Sequence, residues 1–335
     1  MSDWQQVRLH VVTGKGGTGK TTVATSLALG LAAEGRRVLL CEVEGRQGIS
    51  RLLDIGRLPY EERRVAVTED GGGELFALAI DTEAALLEYL DMFYHLGRAG
   101  WALERFGVVD FVTTIAPGLR DVLLTGKVYE ALRRRGGRRG TSGPYRYDAV
   151  VLDAPPTGRI TRFLNVNTEV AGLAKVGPIR SQADSIMRVL RSPQTAVHLV
   201  TLLEDMPVQE TADAVSELTA VDLPVGGIIV NQVRRTPLDA PARKSIATGS
   251  LPVQQLVAAL QTAGLGDSDQ PLDVVGRGLL SAGEEHVARL DLEDRLIGDV
   301  EELGRPVYQL PHLSGDIDLD AIYELARDLR EQGLA

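Results

Sequence analysis

The sequence has 335 residues, of which 44% are hydrophobic, enough for the core of one large α/β domain or of two average domains. The net charge of −10 argues against a nucleic acid as the main partner, because a surface that follows phosphates needs concentrated positive charge. Cys41 is the only cysteine, so a single chain cannot build a disulfide, a zinc site of two or four cysteines, or a metalloid site of several thiols.

The first predicted elements are a strand, a glycine-rich turn and a helix. The apolar run at residues 7–12 predicts a buried strand, and an amphipathic helix is predicted from Lys20 to about Ala33. Between them, residues 14–21 read Gly-Lys-Gly-Gly-Thr-Gly-Lys-Thr, which matches G-x-x-x-x-G-K-[ST]. This spacing suits a triphosphate, because glycines let consecutive backbone N–H groups point into one concavity at an electropositive helix N-terminus.

The residues of this turn are therefore the phosphate-binding candidates. Lys20 is expected to reach the β- and γ-phosphates, Thr21 to place its hydroxyl on Mg²⁺, and Thr22 to donate to the α-phosphate. The other members of the set come just before them: Gly14, Gly16, Gly17, Thr18 and Gly19. The turn therefore predicts binding of a nucleoside triphosphate together with Mg²⁺.

The same glycines also fit G-x-G-x-x-G, the fingerprint of dinucleotide-binding folds, with Glu42 or Glu44 at the usual distance of a ribose-binding acid. The glycines alone do not separate the two possibilities. The pair Lys20-Thr21 does, because a pyrophosphate-binding turn has no use for it, and Asp153 supplies a second motif. The dinucleotide alternative is therefore the weaker one.

The next predicted strand places acidic residues at the ligand-binding edge of the sheet. Residues 37–42 read as a buried strand, and a loop follows at residues 44–48. Ligands bind at the carboxyl ends of strands in open α/β folds, so Glu42 and Glu44 are either site residues or solvated charges at a strand end. A further strand is predicted at residues 75–80.

Between residues 82 and 135 apolar residues recur at three- and four-residue spacing, which predicts a helical insertion. Its aromatic residues are Tyr89, Phe93, Tyr94, Trp101, Phe106 and Phe111. They form either the insertion's own core or an exposed apolar docking surface. A basic run at residues 133–140 follows and is either a solvated linker or a contact for an acidic partner or an anionic lipid.

A second motif ends the strand predicted at residues 149–153. Its last residue, Asp153, can hold a Mg²⁺-bound water, and the Pro/Gly-rich turn at residues 154–158 can sense the γ-phosphate. Capping of the following helix is the structural alternative for this aspartate. The glycine-rich turn upstream favours the metal role.

The remaining pattern completes one α/β domain over residues 1–335. Strands are predicted at 195–200, 225–230 and 306–310, and helices at 208–219, 282–303 and 318–332. Residues 236–275 are rich in Pro, Gly, Ser and Asp and contain one clear helix at 253–262, which is typical of a variable peripheral excursion. The predicted fold is that of a P-loop NTPase, a mostly parallel, doubly wound sheet flanked by helices, with the helical insertion added.

The two motifs together resemble those of the deviant-Walker P-loop ATPases, whose mark is a lysine placed like Lys15, directly after Gly14. The run that begins at Asp153, Asp-Ala-Pro-Pro-Thr-Gly-Arg, is similar to the Asp-Thr-Ala-Pro-Thr-Gly-His of the arsenical-pump-driving ATPases and of the ATPases that target tail-anchored membrane proteins. Similarity at Asn231 and at Pro311 extends the resemblance over most of the chain.

The resemblance implies roles for individual residues. Lys15 reaches across a dimer to the partner subunit's ATP, Asn231 contacts the adenine, and Pro311 belongs to the nucleotide-binding set. The family's water-orienting aspartate corresponds to Glu44, and its second-switch histidine to Arg159. The catalytic candidates are Lys15, Lys20, Glu44 and Asp153. The carboxylate of Glu44 lies one methylene farther from the backbone than that of the family's aspartate. Because a misplacement of about 1 Å can cost on the order of 10²-fold in rate, hydrolysis is predicted to be slow.

The function implied by this resemblance is that of a cytoplasmic Mg²⁺-ATPase whose nucleotide state controls dimer closure and docking at the helical insertion. The dimer is a homodimer or a heterodimer with a paralogous ATPase, and the alternative is a weakly hydrolysing regulatory or structural subunit beside a more active paralogue. A protein partner is favoured over a hydrophobic tail-anchored client, because residues 173–191 are short and modestly apolar. The absence of a signal-like N-terminus and of an apolar stretch of about 18 residues predicts at most peripheral membrane contact.

Overall fold

The computed structural model describes most of the chain. The described residues are 4–43, 45, 47–68, 72–94, 117–136, 143–165, 178–265 and 271–335, without the side chains of 89–94, 117–119, 178–179 and 182. Glu44 and the six aromatic side chains of the predicted insertion lie outside this part of the molecule.

The described residues form one sheet of eight strands. The strands are β1 (Leu9–Gly14), β2 (Arg37–Glu42), β3 (Arg63–Val67), β4 (Glu74–Ala79), β5 (Ala149–Asp153), β6 (Thr195–Thr201), β7 (Val225–Val233) and β8 (Val307–Pro311). Their order is β3-β4-β2-β5-β1-β6-β7-β8, and all neighbours are parallel except β3 and β4. The predicted mostly parallel, doubly wound sheet is confirmed.

Helices cover both faces of this sheet. The described helices are α1 (Lys20–Ala33), α2 (Gly48–Leu52), α3 (Thr82–Tyr94), α4 (Pro117–Arg133), α5 (Thr157–Leu164), α6 (Pro178–Leu190), α7 (Asp205–Ala220), α8 (Ala240–Ala247), α9 (Val253–Thr262), α10 (Leu272–Glu301) and α11 (Leu319–Glu331). One apolar core includes Val128, Phe163 and Ile186 of α4, α5 and α6, and the other includes Leu27 and Leu325 of α1 and α11. None of the described helices is long and apolar enough to cross a membrane.

Helix α1 has the predicted bounds, but it is buried all round rather than amphipathic. Every residue from 23 to 32 is buried, because α11 covers the side of α1 that faces away from the sheet. Gly30 permits this approach, since a Cβ there would lie 2.8 Å from the Cβ of Ala335 and 3.2 Å from the carbonyl oxygen of Ala326. The helix that follows the glycine-rich turn is therefore fixed between two layers.

The two segments predicted to lie apart from the core are only partly described. Within residues 82–135, helix α4 packs on β5 and contributes Val128 to the main core. Within residues 236–275, α9 has the predicted bounds. Helix α8 was not predicted. It begins after Asp239, whose carboxylate accepts a hydrogen bond from the N–H of Ala242. Both α8 and α9 pack on α10. The partner-facing role of the insertion stays a prediction.

The first residues of the basic run are bound to the rest of the protein. Arg134 forms an ion pair with Glu62, and the guanidinium of Arg135 lies 4.4 Å from the centre of the Tyr145 ring. These contacts differ from the solvated linker expected from the sequence. Residues 137–142 of the run and its flank lie outside the described part.

The two outer strands close the sheet in different ways. Strand β3, which the sequence analysis missed, is antiparallel to its neighbour and half-exposed, so it carries little apolar signal. At the other edge, the side-chain amide of Gln332 pairs with the backbone of Gln309 in β8. It accepts from the Gln309 N–H at 2.8 Å and donates to the Gln309 carbonyl oxygen at 2.8 Å. The amide thus takes the place of a neighbouring strand.

Candidate functional site

The glycine-rich turn lies at the carboxyl edge of the sheet, where β5 and β6 flank β1. Gly14 ends β1 against β6, and a Cβ there would lie 2.2 Å from the carbonyl oxygen of Val200. Gly19 has a φ of 87°, and a Cβ there would lie 2.4 Å from Nδ2 of Asn231. These two positions therefore require glycine to close the turn against its neighbours.

Two side chains of the turn donate hydrogen bonds to the same backbone carbonyl oxygen. The Lys15 carbonyl accepts hydrogen bonds from the Thr18 hydroxyl at 2.9 Å and from Nζ of Lys20 at 3.1 Å. Gly16 and Gly17 have open space where a Cβ would point. The ammonium of Lys20 is therefore held close to backbone that a ligand can approach without meeting side chains.

A cavity of about 270 Å³ opens beside this turn. Its lining consists of Gly17, Gly19, Lys20, Thr21, Thr22, Glu42, Asp153 and Ala154. The two metal candidates meet here, because the Thr21 hydroxyl donates to Oδ2 of Asp153 at 2.7 Å. A hydroxyl and a carboxylate are hard oxygen ligands, the kind that Mg²⁺ takes together with phosphates and water.

Glu42 enters the same cavity from the end of β2. It is 2% exposed, its Oε1 accepts from the Gly48 N–H at 3.1 Å, and its Oε2 is buried without a hydrogen-bond partner among the described residues. Glu44, the catalytic candidate from the sequence, lies outside the described residues. The sequence pattern that could have indicated Glu42 as a site residue is that two predicted strands each end in an acid. The structure adds the pairing of β2 with β5, which places Glu42 beside Asp153.

Lys15 is bound to a different element. Its Nζ lies 2.8 Å from Oε1 of Glu210 in α7, and Oε2 of Glu210 accepts from the Thr157 hydroxyl at 3.3 Å. Thr157 begins α5, directly after the turn that follows Asp153. One glutamate therefore connects the glycine-rich turn to the second motif. Glu210 has no local sequence motif, because it lies in an ordinary helical stretch.

Asn231 and Pro311, the predicted nucleotide-binding residues outside the turn, lie in different places. Asn231 is buried, its Nδ2 donates to the Thr18 carbonyl oxygen at 2.9 Å, and its Oδ1 accepts from the N–H of Gln232 at 2.9 Å. It therefore braces the turn from β7. Pro311 ends β8 and lines a separate cavity of about 320 Å³. The adenine-side roles of both residues stay predictions.

The sequence profile of the anion-transporting ATPases matches residues 7–192, more than half of the chain. The chain belongs to this family. The match to the anion-transporting ATPases includes the turn, the end of β2 and the strand that ends at Asp153, so it covers the whole lining of the cavity. It confirms the resemblance found in the sequence.

Individual relatives of this chain are named as ATPases. It is 49% identical to the ATPase BagA of Mycobacterium tuberculosis, over 98% of this chain and 94% of that protein. It is 27% identical to the ATPase GET3 of Kluyveromyces lactis, over 66% of this chain and 71% of that protein. It is 28% identical to the arsenical pump-driving ATPase of Escherichia coli, over 82% of this chain and 49% of that protein.

The residues around the cavity fit a magnesium nucleotide. Gly16 and Gly17 leave the backbone open to phosphate oxygens, and Lys20 adds positive charge beside them. Thr21 and Asp153 offer oxygen ligands at hydrogen-bond distance from each other. Family membership implies that the ligand is ATP.

Proposed function

We propose that this protein is a Mg²⁺-dependent ATPase that acts as a nucleotide switch, in which ATP controls dimer closure and the docking of a protein partner. Family membership supports the ATPase activity, and the cavity beside the glycine-rich turn supports nucleotide binding. The observation that carries the switch is the ion pair between Lys15 and Glu210, because Glu210 also holds Thr157 behind Asp153.

Bound Mg·ATP supplies the phosphoryl group and the metal charge that offsets negative charge during its transfer. Lys20 binds the β- and γ-phosphates, while Thr21 and Asp153 hold the metal and its water. Lys15 stabilises charge on the partner subunit's nucleotide, a role that requires its ammonium to leave Glu210. Closure of the dimer is therefore coupled to loss of the contact between Lys15 and Glu210. Because Glu210 also accepts a hydrogen bond from Thr157, this change reaches the turn after Asp153.

Hydrolysis is proposed to be slow, because Glu44 and Arg159 stand where the family has an aspartate and a histidine. The same two positions favour the alternative function, a regulatory or structural subunit that binds ATP and pairs with a more active paralogue. In the first case the dimer is a homodimer or a heterodimer with a paralogous ATPase, and in the second it is a heterodimer.

The helical insertion at residues 82–135 is the proposed docking site. Nζ of Lys127 in α4 lies 2.7 Å from Oε1 of Glu88 in α3, so the two helices are joined by an ion pair. Helix α4 packs on β5, the strand that ends at Asp153. A change at the nucleotide thus has a direct route to the insertion. We expect amide hydrogen exchange across residues 82–135 to differ between the ATP and ADP states, and equal protection would remove the basis for docking control.

Single-turnover hydrolysis of ATP tests the activity, with the purified protein alone and mixed with candidate paralogues. Turnover by the protein alone supports the ATPase, whereas turnover only in a mixture supports the regulatory subunit. Sedimentation with ATP and with ADP reports dimer closure in the same samples. A protein that binds no ATP in a calorimetric titration contradicts both functions.

A further inference from the structure

We propose that Glu42 is a second carboxylate of the nucleotide site, which acts with Asp153 to hold the hydrated Mg²⁺ of bound Mg·ATP. The inference rests on the proposed function, since it assumes that the cavity takes a magnesium nucleotide. It differs from the sequence prediction, which assigned the acid of this region to Glu44 and named only Thr21 and Asp153 as metal candidates.

The first support is an unpaired oxygen atom. Oε2 of Glu42 is buried and has no hydrogen-bond partner among the described residues, although the residue is only 2% exposed. A carboxylate oxygen removed from water without a partner is costly, so such an atom in a folded protein calls for a ligand. The other oxygen, Oε1, is already used, because it accepts from the Gly48 N–H at 3.1 Å.

The second support is the register of the sheet. Glu42 and Asp153 are direct partners in the parallel pairing of β2 with β5, and each is the last residue of its strand. Residues at matched positions of neighbouring strands point to the same face, and both side chains line the cavity that Lys20 and Thr21 also line. Two carboxylates that face one small space repel each other until cations offset their charge.

The third support is the chemistry of the ion. Mg²⁺ keeps several waters and is held in proteins by one or two carboxylates together with phosphates. Thr21, Asp153 and Glu42 offer a hydroxyl and two carboxylates beside the residues predicted to bind phosphate. This place at the phosphate end of the site also argues against Glu42 as a ribose-binding acid, the role that the dinucleotide alternative gave it.

The test uses Glu42→Gln, which keeps an oxygen that can accept from Gly48 and removes the charge. Calorimetric titration of ADP at a series of Mg²⁺ concentrations gives the Mg²⁺ half-saturation. We expect this half-saturation to rise about tenfold, the scale usual for lost metal-supporting groups, while ADP affinity in EDTA stays that of the wild type.

Glu74→Gln is the matched control, since Glu74 begins β4 at the opposite end of the same sheet. It should leave the Mg²⁺ half-saturation unchanged, and Asp153→Asn should raise it. Should Glu42→Gln fail to fold, Glu42→Asp keeps the charge, withdraws it by one methylene, and should still raise the half-saturation. A folded Glu42 variant with the wild-type half-saturation overturns the inference alone. A wild type that binds no adenine nucleotide overturns the proposed function as well.

Discussion

Lys15 and Glu210 form an ion pair with a separation of 2.8 Å, which holds the lysine against helix α7 of the same chain. The two side chains are 30% and 35% exposed. An exposed pair of this kind stabilises by roughly 0.2–1 kcal/mol, so a competing phosphate charge can break it. A contact that is well formed but weak suits a lysine that is proposed to change partners.

Glu210→Gln is expected to make ATP-dependent dimerisation easier. Without the carboxylate, Lys15 no longer has to give up an ion pair, and the ATP concentration at the midpoint of dimerisation should fall by about two- to fivefold. Sedimentation velocity across an ATP series measures this midpoint. Glu217→Gln, on the same helix and bonded to Thr161 at 3.0 Å, is the control. A midpoint that is equal in all three proteins means that Glu210 does not restrain Lys15.

Lys20→Ala should lose tight Mg·ATP binding. The substitution removes the ammonium that lines the cavity, and a hydrogen bond to a charged group contributes enough that affinity should fall by roughly 10- to 100-fold. Isothermal titration calorimetry checks this, with Lys244→Ala on the exposed surface of α8 as a control for loss of a lysine. Wild-type affinity in the Lys20 variant would rule out the proposed phosphate site.

Lys15→Ala should behave differently from Lys20→Ala. Its side chain points to Glu210 rather than into the cavity lining, so ATP affinity should stay near that of the wild type. Turnover and ATP-dependent dimer closure should be lost, by on the order of 10³-fold for turnover, as for other cations supplied across an interface. Single-turnover assays measure the rate. Hydrolysis at the wild-type rate is incompatible with a role for Lys15 in the partner subunit's site.

Arsenite and antimonite should not stimulate the ATPase. Soft metalloids need several convergent thiolates, and the chain has only Cys41. This residue is fully buried, and burial raises the pKa of its thiol, so the thiolate is not formed near neutral pH. The steady-state ATPase rate with and without arsenite is the measurement. Stimulation that persists in Cys41→Ser would point to a metalloid site built without cysteine.

The buried histidine pair should make folding stability depend on pH. Gly227 donates to Nδ1 of His198, so His198 carries its proton on Nε2 and donates it to Nδ1 of His10, 3.1 Å away. Nε2 of His10 then carries the proton of that ring, and this atom is buried. Both rings are therefore neutral in the folded protein.

Burial lowers the pKa of His10 to about 4 from an ordinary value of 6.5, and it lowers the pKa of His198 well below that value. The unfolded chain binds more protons than the folded one below pH 6.5, so the free energy of unfolding should fall from pH 6.5 toward pH 4, by up to about 1.4 kcal/mol per pH unit for each histidine. Urea unfolding at several pH values measures this slope.

His10→Asn keeps an acceptor for His198 and removes one titrating group, so its slope should be shallower than that of the wild type. His312→Asn removes an exposed histidine and should leave the slope unchanged. An equal slope in the wild type and His10→Asn would show that His10 does not contribute to the acid sensitivity.

Much of the central fold could be predicted because its strands are buried on both faces. The strands at residues 37–42 and 149–153 and the helix at 20–33 have the predicted bounds, since continuous apolar runs end there at charged or glycine residues. β3 escaped prediction because it is an edge strand with arginines at residues 63 and 64 and no buried residue. α8 escaped although Asp239 and Pro241 mark a helix start, because its residues lack an apolar stripe.

The candidate site was predictable only where one segment carries the chemistry. The phosphate-binding candidates were predicted from the local sequence of the turn at residues 14–21. Asp153 was predicted as a metal candidate because it ends a strand. Glu42 and Glu210 could not be assigned, because their positions depend on contacts across long stretches of chain, with β5 for Glu42 and with Lys15 for Glu210. Tertiary pairing of this kind leaves no local pattern in the sequence.

The pairing of Gln332 with Gln309 has a consequence for how copies of this protein can join. Open sheet edges invite strands from other chains and so lead to fibres or aggregates. At β8 the exposed backbone of Gln309 is already used, and Pro311 has no N–H to offer an incoming strand. A second copy would have to displace the amide before it could extend the sheet at this edge, so β8 does not favour open-ended polymers.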